Sequence, residues 1–128
     1  MRNMFYFFLA FLLLAGSAFA SEWLRVEDTE GGEKNYIDME SVEHKRSLIN
    51  FWARNIDRKG EATETSYVIN CEKGTGAIRE IRLYDSNALL VKSYSFDDNK
   101  LQWGKITPRS FMRIFKKVLC VDSTLNPN

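Results

Sequence analysis

Ala77-Ile78-Arg79-Glu80-Ile81-Arg82-Leu83-Tyr84, Asp85-Ser86-Asn87 and Ala88-Leu89-Leu90-Val91-Lys92-Ser93-Tyr94-Ser95-Phe96 follow one another without a break, and this stretch decides the fold. Two runs rich in aliphatic and aromatic residues flank three turn formers. That is the pattern of a β-hairpin, with Asn87 taking the left-handed conformation of the loop. In that register Ile81 faces Val91, Leu83 faces Leu89 and Glu80 faces Lys92, each a favourable cross-strand pair. A chain that reverses through so short a loop pairs antiparallel.

Upstream, Thr63 to Cys71 alternates, with Thr65, Tyr67, Ile69 and Cys71 on one side and Ser66, Val68 and Asn70 on the other. Arg58-Lys59-Gly60-Glu61 turns the chain back to a β-rich run from Ser47 to Asp57, and the polar stretch Met39 to Arg46 before it reads as a loop with a short helical turn. Trp23 to Glu27 and Lys34 to Asp38 read as two further strands joined by a turn at Glu30-Gly31-Gly32-Glu33. Downstream, Thr107-Pro108 reads as an N-cap followed by proline at the first helical position. Phe111, Ile114, Phe115 and Val118 then recur on one helical face, and Lys116 and Lys117 fall in the last turn. About six strands followed by a helix of roughly three turns give an α+β domain, the helix covering one face of an antiparallel sheet.

The N-terminus reads as a secretory leader over residues 1–20: Arg2 for charge, an apolar run from Met4 to Leu14, and Ala18-Phe19-Ala20 for cleavage. The run is too short for the roughly 20 apolar residues of a membrane span. Leu14-Ala15-Gly16-Ser17 has the form of a lipoprotein cleavage box with Ser17 where the acylated cysteine belongs. A serine hydroxyl forms no thioether, so no lipid anchor is expected. Residues 21–128 then form a single domain whose tail from Ser123 to Asn128 is expected to fray.

Export gives Cys71 and Cys120, the two cysteines of the chain, an oxidising environment, and they are expected to form a disulfide. Closing a loop of about 50 residues stabilises a domain by roughly 4 kcal/mol in the chain-entropy model. A metal pair or a reactive thiol is the alternative. It fits less well, because there is no CxxC spacing and His44 is the one histidine.

Of 18 basic and 17 acidic residues, Arg2 leaves with the leader, so the exported part is electrically balanced. Such a domain offers no electrostatic funnel for nucleic acid. Catalytic constellations are scarce. His44 lies beside Lys45 and Arg46, a cationic and solvated setting for a base. Gly74-Thr75-Gly76 precedes a strand-like run rather than the helix a phosphate loop feeds, and Asp97-Asp98-Asn99 lacks the glycine and glutamate of a calcium loop. No cofactor is expected. Trp52, Tyr67, Tyr84, Tyr94, Phe96 and Trp103 are expected mostly in the core, with a stacking surface for ligands as the alternative. Arg79, Arg82 and Lys92 fall on neighbouring strands. They are a candidate patch for acidic ligands, against the simpler reading of a solvated face neutralised by Glu80.

Trp23, Tyr36-Ile37-Asp38, a strand with Trp52, Cys71 ending a strand, Leu83-Tyr84-Asp85, Ile106-Thr107-Pro108-Arg109-Ser110 and Val118-Leu119-Cys120, in that order, resemble the bacterial surface-adhesin protein E family. The resemblance runs from about Trp23 to Cys120. It implies a curved antiparallel sheet with a C-terminal helix tethered by a disulfide, and no enzyme activity. The best known members are lipid-anchored outer-membrane adhesins that bind host matrix and plasma proteins, so Ser17 departs from their pattern. The expectation is a non-enzymatic binding module, periplasmic or secreted from a Gram-negative cell and without a membrane anchor. Its partners would be host matrix proteins, envelope proteins or a second copy, met through sheet edges or the uncovered face. A periplasmic hydrolase, or an envelope-stress protein that inhibits one, is the alternative from another class, and a purely structural envelope component is the third. A cleft with paired carboxylates would favour the enzyme.

Overall fold

The computed structural model describes residues 22–29 and 31–120. The expected leader and the C-terminal tail lie outside the described residues. Seven strands and one helix follow in chain order: β1 (Trp23–Arg25), β2 (Lys34–Lys45), β3 (Leu48–Ile56), β4 (Ala62–Asn70), β5 (Thr75–Tyr84), β6 (Leu90–Ser95), β7 (Gly104–Lys105) and α1 (Arg113–Leu119). The sheet is an antiparallel meander in the order β1-β2-β3-β4-β5-β6, open at both sides, with β7 paired to the start of β5.

Period-two alternation builds the core. Ile49, Phe51 and Ala53 of β3 lie opposite Ile69, Tyr67 and Thr65 of β4, and all six are buried on one face. Helix α1 covers that face with Ile114, Phe115 and Leu119. Phe51, Tyr67 and Phe115 form a triangle with ring centroids 5.4 to 5.6 Å apart, in tilted arrangements that aromatic quadrupoles favour. Burying Phe51 and Phe115 contributes about 1.5–3 kcal/mol each. The expected bridge is present: Cys71, just beyond β4, is bonded to Cys120 at the helix C-terminus.

The helix is shorter than the sequence pattern predicts. Ser110 N–H bonds Thr107 O and Arg113 N–H bonds Ser110 O, so the chain steps through two turns before the α-helical ladder starts with Lys116 N–H to Met112 O. Pro108 therefore opens a turn rather than the helix. Val118 is exposed, and Leu119 and Cys120 take the inner face instead. Gly76 makes the close approach possible, because a Cβ there would collide with the Met112 sulfur.

Two further expectations fail for identifiable reasons. Met39 to Arg46 is no loop: β2 continues to Lys45, and a two-residue turn at Arg46-Ser47 returns the chain, with Arg46 left-handed. Between the pairs Asp38↔Trp52 and Glu43↔Asn50 the strand bulges, and Ser41 Oγ substitutes for the missing ladder by donating to Asp38 O and accepting from Trp52 N–H. In the β5–β6 hairpin, Ala88 and not Asn87 is left-handed, and the register is Glu80↔Ser95, Ile81↔Tyr94 and Leu83↔Lys92. The three-residue loop is Ser86-Asn87-Ala88, one position later than expected, which shifts the pairing by two residues, and the bulge at Val91 shifts it by one more. Both bulges curve the sheet away from straight pleating.

Candidate functional site

The face away from α1 is a self-satisfied mosaic. Arg54, on β3, donates two bonds of 2.9 and 2.6 Å to Glu64 Oε2 on β4 while its guanidinium lies 3.9 Å from the Trp23 ring centre. One row along, Arg82 bonds Glu80 Oε2 at 2.6 Å and stacks 4.3 Å over Trp52. Arg79 holds Asn50 Oδ1 at 3.1 Å and Asp98 at 3.0 Å. Burial works against the Arg82 charge, but Glu80 and Tyr84 outweigh it and raise its pKa.

The three cations of the candidate patch therefore do not come together. Arg79 and Arg82 lie on the uncovered face, both occupied by carboxylates. Lys92 pairs with Leu83, which puts it on the opposite face, where it sits 5.1 Å from the Tyr94 ring centre. The Tyr94 hydroxyl, hydrogen-bonded to the ammonium, raises the Lys92 pKa. His44 is exposed on β2, opposite Ile49. No group of three or more His, Cys, Asp or Glu with metal-holding geometry occurs among the described residues.

The open side of the sheet carries the unusual surface. Every residue of β6 is exposed, and its hairpin tip presents Leu89, Leu90 and Val91 at 63%, 55% and 67% exposure. Tyr94, Phe96 and Trp103, expected in the core, are exposed as well, whereas Tyr67 is buried. The physical reason is the short helix: α1 shields the β3–β4 centre and does not reach β6. Phe96 N–H bonds Arg79 O, so by alternation Tyr94 and Lys92 direct their backbone toward β5 while Ser93 and Ser95 direct theirs to the free edge.

Next to this edge, on the helix side, lies a groove of about 620 Å³. Its floor is Tyr67, Ile78, Ile81 and Ile106, its walls Phe96, Phe111 and Met112, and its rim Lys100, Gln102, Lys105 and Ser110. No carboxylate of the described residues lines it. Neither Lys100 nor Lys105 forms an ion pair among the described residues. The groove also meets a gap in the sheet: β7 pairs with Thr75 and Gly76 and the pairing with β6 starts at Glu80, so Ala77 and Ile78 have a strand partner on the β4 side only.

Sequence reasoning expected recognition through sheet edges or the uncovered face but did not locate the exposed apolar edge at β6, and it missed the groove. One signal was available for the first: Leu89-Leu90-Val91 is a run of three apolar residues that breaks the alternation a half-buried strand requires. The groove had none, because its lining comes from segments far apart in sequence that meet through the pairing of β7 with β5 and the packing of Met112 and Ile106 on Gly76.

The family model described as surface-adhesin protein E matches residues 23–121. Among solved structures, the crystal structure of protein E from non-typeable Haemophilus influenzae superposes with a TM-score of 0.57 at 15% identity, covering 85% of this chain and 82% of that one. A second Haemophilus influenzae protein E structure gives 0.56 at 14% identity, covering 86% and 92%. No curated protein sequence matches the chain.

Proposed function

This chain belongs to the surface-adhesin protein E family, and from that premise we propose that it is an exported, non-enzymatic module that binds host matrix or envelope proteins. The observation that carries the reading is β6, an edge strand exposed along its whole length and continued by an apolar tip. Edges are normally blunted by charge, a bulge, proline or a covering element; β6 has Lys92 and the Val91 bulge near its start, but its Ser93-Tyr94-Ser95 end is exposed and carries no charge or proline. Left open, it accepts an extended segment of a partner, or a second copy of the chain, whose main chain bonds the free N–H and C=O groups while Leu90 and Val91 supply apolar contact. The chemistry of the rest agrees: the arginines of the uncovered face already hold their carboxylates, and His44 is solvent-exposed and forms no ion pair among the described residues.

Residues 1–20 would direct export and be removed, and Ser17 would leave the protein without a lipid. No helix among the described residues is long and apolar enough to cross a membrane. The test has two parts. Cells with an intact outer membrane are probed for surface-exposed or released protein. The purified protein and a Ser93→Pro variant are then screened against matrix proteins. Proline at residue 93 removes an outward N–H and leaves the inward ladder through Lys92 and Tyr94 intact. Surface display with binding that weakens in the variant supports the reading. Confinement to the soluble periplasm removes the host-binding half, and equal binding by the variant removes the edge.

A further inference from the structure

We propose that the groove beside β5 is a docking slot for an extended peptide segment of a partner, one whose apolar side chain is flanked by carboxylates. The inference rests on the reading of the protein as a binding module and names a second contact for it. Three observations converge. The groove has the size of specific ligand sites, about 300–1,000 Å³. Its floor and walls are aliphatic and aromatic, with Ile81, Phe96 and Phe111 in reach of an inserted side chain.

Charge is the second observation. Lys100 and Lys105 stand at the rim with, among the described residues, no carboxylate in the lining and no ion pair of their own. Arg25, Arg54, Arg79, Arg82 and Arg113 each hold an acid, whereas these two exposed cations line the groove and are open to an acidic ligand. Backbone chemistry is the third. Ile106 N–H bonds Gly74 O and Gly104 pairs with Gly76, so alternation carries the N–H and C=O of Ile78 to the same edge, where no strand meets them. An extended peptide satisfies those groups by the main-chain pairing that edge recognition uses. A fatty acid would match the apolar floor and the lysines but leaves the Ile78 backbone unpaired, so the peptide is favoured.

The experiment is a fluorescence-anisotropy titration of the full chain with a labelled peptide Glu-Val-Phe-Val-Glu, its counterpart Lys-Val-Phe-Val-Lys, and laurate as competitor. The acidic peptide is expected to bind about tenfold more tightly than the basic one, a preference that shrinks with added salt. The double variant Lys100→Glu and Lys105→Glu, at two exposed positions, is expected to invert the order with an unchanged melting temperature. Equal binding of both peptides, an unchanged preference in the double variant, or no measurable binding of either peptide overturns the proposal. Capture of a matrix protein that weakens with Ser93→Pro but not with the double variant also overturns the groove, and leaves the edge reading standing.

Discussion

The hairpin loops after β3 and β5 are the same device built with different residues. Asp57 N–H bonds Glu61 O, Gly60 N–H bonds Asp57 O, and Asp57 Oδ1 accepts from the N–H groups of Lys59 and Glu61. Asp85, Ala88, Asn87 and Leu89 repeat each of these bonds in the second loop. The left-handed position is Gly60 at φ 82° in one and Ala88 at φ 63° in the other. A left-handed residue with a Cβ costs about 1–2 kcal/mol, and glycine returns about 0.4–1 kcal/mol of that through its greater freedom in the unfolded chain. Ala88→Gly is therefore expected to stabilise the domain by about 0.5–1 kcal/mol, or roughly 2–6 °C in Tm for a domain of this size. Gly60→Ala should cost a similar amount, because the new Cβ would meet only Ser86 Cβ at 3.8 Å and the penalty is backbone strain alone. Urea titrations followed by tryptophan fluorescence, with calorimetry for Tm, measure both, and the exchange of the two residues should come out near neutral. A neutral or destabilising Ala88→Gly beside a costly Gly60→Ala would refute the equivalence of the loops.

Two further outcomes follow from the core. Reduction, or Cys71→Ser with Cys120→Ser, is expected to lower stability by about 4 kcal/mol for a bridge spanning 49 positions. That is a large share of a typical 5–15 kcal/mol total, so a denaturation midpoint that does not move with reductant would contradict it. Burial pushes the Tyr67 phenol above its usual pKa of 10.0, and a hydrogen bond to Thr65 opposes this only in part. The folded state therefore holds that proton more tightly than the unfolded state. Stability from the neutral phenol is complete below about pH 10 and is lost as pH rises through the folded value. Tyr67→Phe should flatten this alkaline limb, measured as stability against pH alongside tyrosinate absorbance.

Legibility in the sequence tracked how local each cause was. Thr65, Tyr67 and Ile69 alternate because one face of β4 meets the core, and that pattern sits in consecutive residues. The Cys71–Cys120 bridge was legible from count and compartment alone. The continuation of β2 past Asp38 was not, because its bulge replaces ladder bonds with Ser41 Oγ, a contact with Trp52 that no periodicity encodes. The hairpin register failed by the same route. Asn87 is the better left-handed residue by type, yet the Asp85 side chain bonds place that conformation at Ala88. The candidate patch failed because the Val91 bulge sends Lys92 to the opposite face from Arg82. The exposed aromatics were misread because the extent of helix cover depends on where the turns from Thr107 to Met112 end.

The bond between Cys71 and Cys120 closes a covalent ring around β5, β6, β7 and α1. The exposed hairpin tip at Ser86 to Val91, open to a protease, lies inside that ring. A single cut there opens the ring without releasing a fragment: both pieces stay joined through sulfur, and the segment carrying β6 and the groove wall remains tied to the sheet. In a member of a surface-adhesin family, the same bridge that holds the helix in place also keeps this exposed loop survivable when nicked.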